Sequence, residues 1–181
     1  ESDFMINAIA IYALESFDEI CRKLVKENKF KGIAEAVREK VRLRFFNEAT
    51  ETFFMTDKEE EPTELANSFA ILTGIAEGEL KSQIAQRLAD HEFLPCSLSM
   101  KGFKYDALLH VDKVKYKDTI LDEIRAIYKP MLDEGFTTVW ETADGAEAFN
   151  SAGSLCHGWS AIPIYYYNDL LEQAKYYSTS I

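Results

Sequence analysis

The strongest constraint in this sequence is that its helical segments come in two kinds, and the kinds alternate. From Asp3 to Lys26, the first turns are apolar on every side, with Phe4, Met5, Ile6, Ala8, Ile9, Ile11, Tyr12 and Leu14. A helix that is apolar all round belongs inside other structure. The next segment, Lys31 to Phe46, carries Ile33, Val37, Val41 and Phe45 in steps of four with charges between them, so it covers something with one face. The pair then repeats. Glu61-Pro62-Thr63 is a helix start signal that opens Glu64 to Ala76, a segment with little polar surface. After the Glu77-Gly78 turn, Leu80, Ile84 and Leu88 step through a charged helix. Helices over Ser99 to Val111 and Lys117 to Leu132 follow, the second stopped by Gly135. Leu155 to Leu171, rich in aromatics, closes the series.

Inner helices enclosed by outer ones describe an all-α array of stacked hairpins, either a toroid or a solenoid. No fixed period links the hairpins, which argues against the short repeat families. Some seven helices are present where a closed double ring of six hairpins needs about twelve, so the chain reads as part of a ring. An open part-ring would leave apolar flanks uncovered, and self-association is the expectation. Two segments resist the helical reading. Thr50 to Thr56 alternates and is aromatic, and it leads into the acidic run Asp57 to Glu61. Thr137 to Thr142 is β-branched and aromatic, which favours extended backbone.

Composition narrows the partners. Thirty-one acidic residues against 20 basic ones give a formal net charge of −11, which repels nucleic-acid backbones. The one basic run, Arg38, Lys40, Arg42 and Arg44, is split between helix faces. Apolar stretches are too short to span a membrane. Cys21, Cys96 and Cys156 form neither a disulfide framework nor a zinc spacing, which points to a reducing, cytoplasmic compartment. His91 and His110 stand apart from other ligand types, and the acidic run lacks calcium-loop spacing, so neither metal nor cofactor is expected.

Chemistry concentrates between Gly135 and Trp159. This stretch holds Glu141, Asp144, Glu147, His157 and both tryptophans, Trp140 and Trp159. Carboxylates beside indole rings suit carbohydrate, because rings stack on sugars while carboxylates bind hydroxyls or move protons. Read one at a time, the same residues also fit solvated loop acids, a core tryptophan and a structural histidine. A non-catalytic carbohydrate-binding module and a helical interaction module therefore stay open.

The blocks Thr137-Thr138-Val139-Trp140-Glu141 and Ser154-Leu155-Cys156-His157-Gly158-Trp159-Ser160-Ala161 resemble the C-terminal part of the catalytic domain of bacterial α-L-rhamnosidases. Leu65-Ala66-Asn67-Ser68-Phe69-Ala70 fits as well, though generically. The resemblance covers essentially residues 1–181 and is most specific after Gly135. It implies the C-terminal half of an (α/α)6 barrel and inverting hydrolysis of terminal α-L-rhamnosides, with no cofactor. Glu141 would be the general base. Trp140 would line the sugar subsite, and His157 would contact sugar hydroxyls or orient Glu141. Asp144 and Trp159 are further pocket candidates. The family's general acid lies in the earlier half of the barrel, which nothing before Gly135 resembles. The expected partners are therefore a rhamnosyl glycoside and the remaining half of the barrel, and the chain alone is expected to be inactive.

Overall fold

The computed structural model describes residues 3–58 and 61–178, with side chains through residue 171. Glu59 and Glu60 of the acidic run, and most of the polar tail, lie outside the described residues. Among the described residues, the chain is all-α apart from one two-stranded sheet. It divides into two compact units, Glu1–Pro95 and Cys96–Ile181.

The first unit is built from α1 (Phe4–Lys23), α2 (Ile33–Phe45), α3 (Glu64–Leu72) and α4 (Gly78–Ala89). Asp3 opens α1, its Oδ1 accepting the Ile6 N–H at 3.0 Å, and Thr63 opens α3 by accepting the Ala66 N–H at 3.2 Å. Both satisfy donors that a helix start leaves unpaired. α1 packs on α2 and α3, and α3 packs on α4. The helices predicted to be inner thus lie side by side, each backed by a one-faced helix. α3 is buried almost throughout. α1 buries Phe4, Ala8 and Ile11, while Ile6, Ile9, Ile20 and Leu24 on its opposite face are exposed, so its all-round apolar character is only half used.

The Thr50–Thr56 segment forms its extended piece as a ribbon of β1 (Phe46–Asn47) and β2 (Thr52–Phe53). Phe53 meets Phe4 at 5.7 Å and Phe46 at 5.0 Å between ring centroids. Buried Asn67 pins β2. Its Oδ1 accepts the Phe53 N–H at 3.1 Å, and its Nδ2 donates to the Phe53 carbonyl at 3.0 Å. A buried amide with this many partners fixes register as well as packing. Arg38 and Arg42 donate to the carbonyls of Thr73 and Ile75 just past the end of α3, at 2.8 and 3.0 Å. Arg44 pairs with Asp57 at 2.6 Å, so the basic run divides among separate tasks.

The second unit starts with a short 3₁₀ turn, Leu98–Met100, then α5 (Lys101–Asp133) and the C-terminal helix (Pro163–Ser178). α5 is two helices joined at Asp112, whose backbone is extended (φ −158°, ψ 100°). Its Oδ1 accepts the Lys115 N–H at 2.9 Å and starts the second half. The halves fold back on each other. Lys101 and Lys104 both reach Glu123 Oε1, at 2.9 and 3.1 Å, whereas one straight helix would hold residues 101 and 123 roughly 33 Å apart. The sequence break between Val111 and Lys117 is therefore real, although it is a single residue wide. One buried cluster of this unit is Leu98, Met131 and Trp140, with Ile127, Tyr128, Phe136 and Leu155 packed around it. Among the described residues, no helix is long and apolar enough to cross a membrane.

One predicted boundary moves. The helix expected from Leu155 begins only at Pro163, after a 3₁₀ turn at Gly158–Ala161. His157 is extended (φ −130°, ψ 95°). Gly158 weakens any helix passing through it and Pro163 suits a first turn, so the aromatic run starts the helix later than its hydrophobicity alone suggests.

Candidate functional site

Gly135 ends α5 at φ +84°, its N–H donating to the Leu132 carbonyl at 2.9 Å. The chain then passes through Val139 to Glu141 and returns beside itself at Ser154 to His157. The two passes are laced together in the antiparallel sense. The Glu141 N–H donates to the Ser154 carbonyl at 2.9 Å, and the His157 N–H donates to the Val139 carbonyl at 2.8 Å. The Thr138 hydroxyl donates to the Leu155 carbonyl at 2.6 Å. Ser154 N–H lies 3.4 Å from Glu141 Oε2, a long contact that orients the carboxylate weakly. The lacing holds the backbones of Glu141 and His157, sixteen positions apart, on two neighbouring passes of the chain.

Trp140 turns into the core and is 7% exposed, its ring edge-on to Phe136 at 5.2 Å and 87°. Its indole nitrogen is buried with no hydrogen-bond partner among the described residues. Trp140 therefore belongs to the core beneath this loop, while Glu141 is half-buried. His157 is half-buried, Asp144 is exposed, and Trp159 is 73% exposed. Glu147 and Cys156 are also exposed. The two passes bring Glu141, Trp140 and His157 together, whereas Asp144 lies in the turn leading away from them. That turn begins a 3₁₀ segment, Gly145–Glu147.

The loop between the two passes is held by geometry that only glycine permits. Gly145 has φ +57°, and a Cβ there would lie 2.7 and 2.8 Å from two ring atoms of Trp140. A Cβ on Gly153 would meet the Gly145 carbonyl oxygen at 1.9 Å. Between them Phe149, Asn150 and Ser151 are consecutive left-handed residues, with φ of 53°, 60° and 66°. The turn closes with the Ala152 N–H on the Ala148 carbonyl at 2.9 Å. Each non-glycine residue in this region costs on the order of 1 kcal/mol, so packing of the glycines onto the Trp140 core must hold the loop in place.

Sequence reasoning did not foresee a second group of polar and aromatic side chains in this unit. The Tyr166 hydroxyl lies 3.0 Å from the Gly102 carbonyl and 2.8 Å from Asp106 Oδ1. Burial, with the Asp106 carboxylate beside it, pushes the Tyr166 phenol well above its ordinary value. It therefore stays a hydrogen-bond donor. Burial does the same to Tyr128, whose hydroxyl donates to the Ser160 carbonyl at 2.7 Å. Only the tyrosine run and the lone Gly102 hint at this cluster in the sequence, because its partners are some sixty positions apart.

No protein-family model matches the sequence, and no curated protein matches it. Among solved structures, the chain is similar to the crystal structure of a GH78-family rhamnosidase of Bacillus sp. GL1. The identity is 27%, the TM-score is 0.61, and the match covers 75% of this chain. The chain spans only 15% of that enzyme's length. The helical fold is thus of the kind found in part of a GH78 glycoside hydrolase.

Proposed function

We propose that this chain is the base-bearing portion of an inverting glycoside hydrolase acting on terminal α-L-rhamnosides, with Glu141 as general base. The observation that carries the reading is the lacing of the two passes. It holds half-buried Glu141 beside the core residue Trp140, with His157 on the returning pass of the chain. Likeness to a GH78 rhamnosidase supports it.

In this reaction a carboxylate accepts a proton from the water that attacks the anomeric carbon. A carboxylic acid on the opposite side of the bond protonates the departing oxygen. The two groups stand roughly 6.5–9.5 Å apart so that the water fits between them. Glu141 supplies the first role, His157 positions sugar hydroxyls or Glu141, and exposed Trp159 offers a ring face to the substrate. Asp144 contributes at the edge of the pocket. Trp140 acts by holding Glu141 in place. The acid comes from outside this chain, in the remaining part of the barrel, so the chain by itself does not turn over substrate. The test compares the chain, a longer protein containing it, and that protein carrying Glu141→Gln, all on an aryl α-L-rhamnoside. Full activity of the variant would remove Glu141 from the mechanism.

The exposure of Trp159 favours one second reading, a carbohydrate-binding module without catalysis. Saturable quenching of tryptophan fluorescence by oligosaccharides, together with an inactive longer protein, would select it.

A further inference from the structure

The second unit contains a cavity of about 260 Å³ lined by Ser99, Gly102, Phe103, Asp106, Tyr165 and Tyr166, with Ile162 closing one side. Glu141, Trp140 and His157 are not among its lining residues. Its volume lies just under the roughly 300–1,000 Å³ of pockets for drug-sized molecules, which limits the occupant to about one ring. Its walls divide by chemistry. Tyr165 is 68% exposed, so its ring surface is open to a ligand, and Phe103 lines the cavity beside it. Tyr165 is edge-on to Tyr166 at 5.1 Å, and Tyr166 in turn is edge-on to buried Tyr105 at 5.3 Å.

The polar side is equally built. Asp106 Oδ1 accepts from the Tyr166 hydroxyl, and Asp106 forms no ion pair among the described residues. Its other oxygen remains an acceptor whose charge is partly dispersed through the tyrosine. Ser99 and Tyr165 supply hydroxyls that donate as well as accept. Gly102 makes the arrangement possible, since a Cβ there would lie 3.0 Å from Ile162 and 3.2 Å from the Tyr166 oxygen. An open ring face on Tyr165, a carboxylate and nearby hydroxyls suit a molecule with an apolar face and a hydroxylated edge. A quaternary ammonium ion would use the rings and Asp106 but has no N–H to donate to these hydroxyls.

We infer that this cavity binds a single sugar ring, with its apolar face on Tyr165 and its hydroxyls donating to Asp106. The ligand class extends the carbohydrate reading above, while the site does not depend on Glu141. The test uses the whole chain and reads binding, not hydrolysis. L-rhamnose, D-glucose and tetramethylammonium are titrated separately while the amide resonances of Gly102, Phe103 and Asp106 are followed by NMR. Saturable shifts with a sugar are expected. Tyr165→Ala should weaken binding roughly tenfold, the scale of one lost ring contact, and Asp106→Asn should weaken it too while leaving the Tyr166 contact in place. Both positions are exposed, so dispersed spectra should show that the variants fold. Sugar binding unchanged in both variants, shifts with tetramethylammonium but not with sugars, or no saturable shift at all would each overturn the inference. None of these outcomes touches the Glu141 test, which reads turnover in the longer protein.

Discussion

Replacing Gly145 with alanine tests whether the loop geometry holds Glu141 in place. The new methyl faces two separate penalties. Alanine at φ +57° costs about 1–2 kcal/mol for the left-handed backbone. Its Cβ would also lie 2.7 Å from the Trp140 ring, and that ring is packed between Phe136 and the Leu98–Met131 core. Forcing a methyl into such packing costs about 1–3 kcal/mol. The sum, about 2–5 kcal/mol, is a large share of the roughly 5–15 kcal/mol that holds a typical domain together. Gly135→Ala is the control. Its φ is +84° with no atom within 4 Å of a Cβ, so it carries only the backbone penalty. Both tryptophans lie in the second unit, so urea unfolding followed by tryptophan fluorescence reports that unit directly. Gly145→Ala should lower the midpoint clearly more than Gly135→Ala and should alter the near-ultraviolet circular dichroism of Trp140. Equal effects from the two variants would refute the claim that Trp140 rests on Gly145.

Three further expectations follow from named contacts. Asp112→Ala removes the carboxylate that accepts the Lys115 N–H and should cost about 1 kcal/mol in urea unfolding, as lost helix N-caps do; no change would mean the fold-back of α5 needs no cap. Thr138→Val breaks the 2.6 Å bond to the Leu155 carbonyl, and hydrogen exchange at the Glu141 and His157 amides should quicken; unchanged rates would show that the two passes pair without it. Tyr166 and Tyr128 have folded-state values raised above the ordinary 10.0 by burial, so above about pH 10 the unfolded chain releases these protons more readily. Their contribution to stability is complete below that pH and is lost as pH rises toward the raised values. Phenolate absorbance from these two residues should therefore appear together with unfolding, and Tyr166→Phe should shift the alkaline transition upward; early ionisation without unfolding would contradict their burial.

The helices were legible because their apolar residues repeat in steps of four and their ends carry strong local signals. Asp3, Thr63 and Gly135 stop or start helices by contacts within a few residues. The inner and outer roles of α3 and α4 followed from how much of each surface was apolar. What stayed hidden depends on partners distant in sequence. Trp140 and Glu141 are neighbours, and the backbone path fixed by Ser154 and His157 from the returning pass leaves one in the core and the other half-buried. The left-handed turn at Phe149 to Ser151 goes against local preference and exists because the Gly145–Gly153 approach closes the loop around it. Asp106 read as one acid among thirty-one until the C-terminal helix set Tyr166 against it.

The central claim is that Glu141 is the base of a sugar-cleaving reaction completed by residues outside this chain. The most direct measurement is kcat/KM on an aryl α-L-rhamnoside for a longer protein containing the chain, with and without Glu141→Gln. Loss of one positioned proton acceptor should lower the rate by about 10²–10⁴-fold while the variant keeps its circular dichroism spectrum. A variant within a few-fold of the unaltered protein would contradict the account.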